Sequence, residues 1–323
     1  MLVTGPNGAG KTNLLESLHV GTQGFSPRTR RDHELIRFGS DLSTISLRGS
    51  RGGTAVETGV ALSTAAAKRA SLNGATLPSA ESLRRELQTL VFTPDRLAIV
   101  KGGPAARRAY FDRMLGRLQP ARASLAADYA AAVAQRNAAL RFSSPEAVEP
   151  WTEQVLSLGA SLVESRRTLL AALAPGFAAR ADELGLSSAE LAYEGAEPTR
   201  EQLDAALERD RDRGTTSVGP HLHDVRLVAG GRDLRSFGSQ GEQRLTVLSL
   251  LLAEVELLAA ERGLRPLLLL DDVLSELDPG RRRVLASRVA AGGQTLVTAT
   301  DASFLPIKPE QLLEVSPGIV RAA

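Results

Sequence analysis

The hydrophobic pattern changes period along the chain. Leu2 and Val3 end an apolar strand, a glycine-rich stretch follows, and apolar positions recur from Asn13 to Val20 as a helix start. Between 42 and 74 the period is two: "LSTISLR", "VETGVALS" and "KRASLNGA" alternate, with an Asn73-Gly74 turn, and predict antiparallel hairpins. "TLVFTPDRL" at 89–97 predicts a short strand that ends at Pro94. From about 116 to 213 the period is helical. Leu125, Tyr129 and Val133 share one stripe; Trp151, Val155, Leu158, Leu162 and Leu169 share another, read as core packing and expected to stop at Pro175-Gly176. Thr199 and Gln202 resemble a capping box before a third helix, whose end, "ERDRDRG", reads as a solvated charged face.

Strand pattern returns after Gly214. "HDVRLVAGGRDLRSF" predicts a hairpin at Gly230-Gly231 and "RLTVLSLLLAEVELLAAERG" a long helix closed by Gly263. "PLLLLDD" and "QTLVTAT" predict buried strands. The expected fold class is α/β, with a mainly helical arm domain at 116–213 interrupting a unit made of 1–115 and 214–323.

Composition narrows this little. Of 323 residues, 43% are hydrophobic and 24% charged, both ordinary for a globular chain. No apolar run reaches membrane-spanning length, the start lacks a signal pattern, and cysteine is absent, so the cytoplasm is favoured. The net charge of +2 is too small to establish a polyanion partner. Lysine occurs only at 11, 68, 101 and 308, and arginine supplies the other basic positions.

Candidate chemistry starts with Gly5-Pro6-Asn7-Gly8-Ala9-Gly10-Lys11-Thr12, which fits the phosphate-loop pattern G-x-x-x-x-G-K-[ST]. Glycines let backbone amides turn inward around phosphates, and the following helix adds its positive end. Lys11 is expected to reach the β- and γ-phosphates of ATP and Thr12 to ligate Mg²⁺. In "LLLLDDVLSELD" the leucines carry Asp271 to a strand's C-terminal end as a magnesium carboxylate, and Asp272 is placed to polarise the attacking water. "SFGSQGEQR" offers Ser239 and Gly241 at another helix N-terminus. One phosphate needs one cradle, so this second one fits a partner subunit's nucleotide. The order of phosphate loop, insertion, signature, paired aspartates and "SELD", which ends at Asp278, is that of an ABC-type ATPase head.

The stretches "GPNGAGKTNLLE", "SPRTRRDHELIRFG", "FTPDRLAIVKGGPAARRAYFD", "GPHLHD", "SQGEQR" and "LLLLDDVLSELD" resemble the RecF family of bacterial recombination mediators, over nearly the whole chain. The resemblance implies an SMC-like, ABC-type ATPase head with a short helical arm, which binds DNA and ATP and dimerises on ATP. It further implies slow, DNA-dependent hydrolysis used as a switch, and action with RecO and RecR to load RecA at single-stranded gaps and junctions. Gap repair, replication restart and the SOS response are the implied settings. An SMC-like structural ATPase and the nucleotide-binding subunit of an ABC transporter are the alternatives.

Three departures stand out. Four residues precede Gly5, where the family usually has further strands, so either the start is placed late or part of the sheet edge is missing. Leu222 and His223 stand where the family usually reads Arg-Asp, and Thr300 stands where transporter heads place a switch histidine. His221 and His223, with Asp224, are read as core or loop histidines rather than metal ligands. For DNA phosphates the candidates are Arg28, Arg30, Arg31, Arg84, Arg85, Arg107, Arg108 and Arg281 to Arg283, each weighed against plain surface solvation. Aromatics at 4% disfavour base stacking as the main mode.

Overall fold

A computed structural model of the chain describes residues 1–142, 144–263 and 265–323. Two compact units divide it, Met1–Arg96 with Val255–Ala323, and Leu97–Glu254. The positions 116 and 213 that bound the arm in sequence both fall inside the second unit.

In the first unit, β1 (Leu2–Thr4) has three residues, all buried, yet it occupies the middle of a six-stranded sheet. It runs parallel between β11 (Thr295–Ala299) and β12 (Leu312–Ser316). Beyond β11 lie β10 (Leu267–Leu270) and β6 (Thr89–Phe92), also parallel. β13 (Ile319–Ala322) closes the other edge antiparallel. Parallel strands covered on both faces read as continuous apolar runs, which is why Leu267–Leu270 shows no alternation. Val3, Leu15, Val91, Leu269, Leu296 and Val315 form the core beside this sheet. The hairpin of β12 and β13 had no counterpart in the sequence reading; its cue is Pro317-Gly318, with Gly318 at φ 76.

The predicted hairpins form a second sheet in the order β2 (Leu42–Arg51), β3 (Thr54–Ser63), β4 (Arg69–Leu72), β5 (Ala75–Thr76). Asn73 and Gly74 both take positive φ, 50 and 82, as a tight hairpin turn requires.

The second unit contains helices Pro104–Leu118, Leu125–Phe142, Pro145–Glu183 and Arg200–Arg213, and most of Gln240–Arg262. It also holds an antiparallel sheet of β7 (Ala189–Glu194), β8 (Asp224–Ala229) and β9 (Arg232–Asp233). β7 lies in the stretch expected to be mainly helical; its partner β8 is 30 to 40 residues away, so local period did not reveal it.

Two further expectations need correction. The second arm helix does not stop at Pro175-Gly176; it runs on to Glu183. An interior proline costs about 3 kcal/mol, but Leu173, Phe177 and Ala181 are fully buried on one face of the helix, and each large side chain so buried contributes about 1.5–3 kcal/mol. The run "ERDRDRG" is not all solvated: Asp210 is wholly buried and pairs with buried Arg136 at 3.0 Å. The capping box of Thr199 and Gln202 is present in both directions. Trp151 packs on Ala139, Leu140 and Val148. No helix among the described residues is long and apolar enough to cross a membrane.

Candidate nucleotide-binding site

The loop Gly5 to Thr12 links β1 to the helix Lys11–Gln23 in the first unit. Gly5, Gly8 and Gly10 take φ of 152, 79 and 106, which L side chains seldom adopt. A Cβ on Gly5 would stand 2.3 Å from the carbonyl oxygen of Val315, whereas one on Gly8 or Gly10 would meet nothing closer than 4.0 Å. The base of the loop is therefore clamped against β12 and its crest is open. Pro6, Asn7 and Gly8 are exposed, while Ala9 and Lys11 are buried. The Lys11 ammonium folds back over the loop and donates to the carbonyls of Gly5 at 2.7 Å and Pro6 at 3.0 Å.

Tertiary folding brings the phosphate loop to the paired aspartates. The Thr12 hydroxyl donates to the Asp271 carboxylate, 3.1 and 3.0 Å from its two oxygens, across 259 positions of sequence. Asp271 is buried at the end of β10, and its amide donates to the carbonyl of Phe92 on β6. Asp272 follows with φ 48, unusual for a residue other than glycine. One carboxylate oxygen of Asp272 is buried without a partner among the described residues.

A further residue, absent from the sequence candidates, joins this group. Thr298 on β11 is fully buried; its hydroxyl accepts from the Asp272 amide at 2.8 Å and donates to Asp271 at 2.8 Å. The cue was a threonine inside the apolar run "TLVTA". A hydroxyl and a carboxylate are hard oxygen donors that suit Mg²⁺, which typically takes one or two protein oxygens and completes its shell with waters and phosphates. Among the described residues there is no cluster of three or more His, Asp or Glu side chains able to cage a metal without such help.

Ser239 and Gly241 lie in the second unit and are exposed. Ser239 precedes the helix Gln240–Arg262 and forms a reciprocal cap: the Glu242 amide donates to its hydroxyl at 3.2 Å, and its own amide donates to the Glu242 carboxylate at 2.7 Å. The Ser239 amide, and after it the Ser239 hydroxyl, hold the Glu242 carboxyl below its usual pKa. Asp278, in the first unit, caps the helix Pro279–Ala290 by accepting from the Arg281 amide, which likewise lowers its pKa.

The arginine candidates separate. Arg107 is buried and doubly bonded to Asp224 at 2.7 Å, so it is a structural cation and not a surface contact. Arg108 donates to the carbonyl of His223. Arg28 pairs with Glu16, Arg31 with Glu34 and Arg281 with Asp278. Arg84 lies over Phe25, and Arg282 donates to the carbonyl of Leu274. Arg30, Arg85 and Arg283 are exposed. His221 shares a hydrogen bond with Tyr129 and His223 one with Tyr193, in line with loop histidines, while Leu222 is exposed. A cavity of about 510 Å³ in the first unit, walled by Leu14, Leu18, Leu47 and Leu267, takes in none of the loop residues 5–12.

Residues 1–317 match the family described as the RecF/RecN/SMC N terminal domain. The DNA replication and repair protein RecF of Anaeromyxobacter sp. (strain K) is 41% identical over 321 residues, covering 93% of this chain and 86% of that protein. A solved structure of the recombination mediator protein RecF-ATP in the RecFOR pathway superposes with TM-score 0.88 at 26% identity, over 100% of this chain and 91% of that one. An Smc head bound to the C-winged helix domain of ScpA shares the fold, with TM-score 0.59 at 15% identity, over 100% of this chain and 88% of that one. The mixed sheet with added helices is thus the fold of RecF and SMC head ATPases.

Proposed function

This chain belongs to the RecF family, and from that premise we propose that it is an ATP-dependent, DNA-binding recombination mediator that dimerises on ATP. The observation that carries the reading is the 3.0 Å contact between Thr12 and Asp271. It joins a phosphate loop to the carboxylate that such a loop needs, from opposite ends of the chain.

Backbone amides of the loop and the Lys11 ammonium bind the terminal phosphates of ATP. Thr12 and Asp271 would hold Mg²⁺, which would neutralise phosphate charge. Asp272, one residue on, orients the attacking water and accepts its proton. Ser239, Gly241 and Asp278 act on the partner's nucleotide, so two copies close over two ATP molecules. Asp278 contributes through its carboxylate at the helix cap.

Closure gathers exposed arginines, Arg30, Arg85 and Arg283 among them, into a surface for the backbone of gapped or junction DNA. Binding there weakens as salt rises. Hydrolysis reopens the pair and serves as a slow switch. RecO and RecR are the proposed partners, RecA loading at gaps the proposed outcome, and the cytoplasm the proposed location.

The test is the molar mass in solution and the affinity for gapped duplex, each with and without Mg·ATP. Asp272→Asn traps the closed state and Lys11→Ala is the control. A dimer that forms only with ATP and binds DNA more tightly is expected. A persistent monomer in the Asp272→Asn chain at saturating Mg·ATP would overturn the reading.

A further inference from the structure

We infer that Thr298 is a positioning residue that sets the Asp271 and Asp272 carboxylates as one unit; the inference rests on the nucleotide-binding reading above. A hydroxyl has one proton to donate and lone pairs to accept with. Thr298 uses both sides. It donates to Asp271 at 2.8 Å and accepts from the Asp272 amide at 2.8 Å.

Nothing in the local chain requires this. β11 and β10 are neighbouring parallel strands, with Val297 opposite Leu270, so Thr298 lies level with the first residue beyond β10. At that point the chain turns into a left-handed conformation, φ 48 at Asp272, and the hydroxyl gives its half-buried amide an acceptor. Thr298 has no solvent exposure. Its β-branched side chain has few rotamers in a strand, so the hydroxyl is held where these two bonds need it.

Asp271 thus accepts from two hydroxyls. Thr12 is the one that would turn to a bound Mg²⁺, and Thr298 is the one that would remain. With Thr298 in place the carboxylate keeps its aim when Thr12 turns to the metal, and the backbone of Asp272 keeps its strained turn. Without it the metal carboxylate can rotate and the water-facing aspartate loses its anchor.

The test is ATP affinity by calorimetry in Mg²⁺ and, separately, in EDTA, on Thr298→Val, Thr298→Ala and Thr298→Ser. Valine keeps the volume and removes the hydroxyl. We expect Thr298→Ser to match the unsubstituted chain. Thr298→Val and Thr298→Ala should keep the metal-free affinity and lose roughly 10- to 100-fold of the affinity that Mg²⁺ adds, the usual cost of removing a group that orients a metal ligand. A merely structural threonine would shift melting and leave the magnesium increment unchanged.

Hydrogen exchange on the unsubstituted chain needs no variant: the Asp272 amide should exchange slowly, and fast exchange beside a protected Asp271 amide overturns the inference. A full magnesium increment in folded Thr298→Val overturns it alone. No ATP binding by the unsubstituted chain overturns the parent reading, and this inference with it.

Discussion

Replacing Asp210 by asparagine strands a buried cation. Arg136 and Asp210 are both without solvent exposure, and their closest atoms are 3.0 Å apart. Arg136 also donates to Thr152 and Thr216, while one of its terminal nitrogens has no partner among the described residues. Asparagine keeps the oxygen that accepts from the Ser217 amide, but its amide nitrogen replaces the oxygen that accepts from Arg136, so the charge and that bond are lost together. Removing one member of a buried pair costs about 3–5 kcal/mol, because the other charge is stranded. Trp151 is the one tryptophan in the chain and packs within the same unit, so its fluorescence reports that unit's unfolding. With a urea slope of about 2 kcal/mol per molar, the midpoint should fall by roughly 1.5–2.5 M. Adding Arg136→Met removes the stranded cation and should recover at least half of the loss. A fall under roughly 0.5 M, or a double variant worse than the sum of the singles, would refute the reasoning.

Other expectations concern the site and its surroundings. Lys11→Ala should abolish ATP binding measured by calorimetry, while Asp272→Asn keeps it and slows both turnover and release from DNA; unchanged turnover in Asp272→Asn contradicts its role. Ser239→Ala removes a helix cap worth about 1 kcal/mol, so it should lower the melting temperature slightly yet abolish ATP-driven dimerisation, read by light scattering. His223 has its pKa pushed down to about 4 by burial and then by the Arg166, His221, Arg108 and Arg167 charges around it. The folded state therefore binds fewer protons than the unfolded state between pH 6.5 and about 4, and stability rises with pH across that window. Its contribution is complete above pH 6.5 and is lost as pH falls toward 4, so His223→Gln should flatten that part of the urea-midpoint profile.

Much of the molecule is legible from local pattern. The phosphate loop, the Asn73-Gly74 hairpin, the Thr199 capping box and the apolar strand before Asp271 each encode their geometry within a few residues. Glycines with positive φ, reciprocal caps and strand period are short-range constraints, and sequence states them directly. The order of the motifs added the ABC-type head, and the stretches that resemble RecF added the family.

What tertiary structure alone decided is long-range. Pro175 sits inside a helix because Leu173, Phe177 and Ala181 have a core to enter, a fact that proline statistics do not contain. Asp210 and Arg107 look like surface charges in sequence, and become buried cations' and anions' partners only when Arg136 and Asp224 arrive from 74 and 117 residues away. Thr298 gains its place because parallel pairing sets β11 level with the end of β10. Side-chain period tells a residue which face it takes. Which partner waits on that face depends on strands and helices distant in sequence, and only packing brings them together.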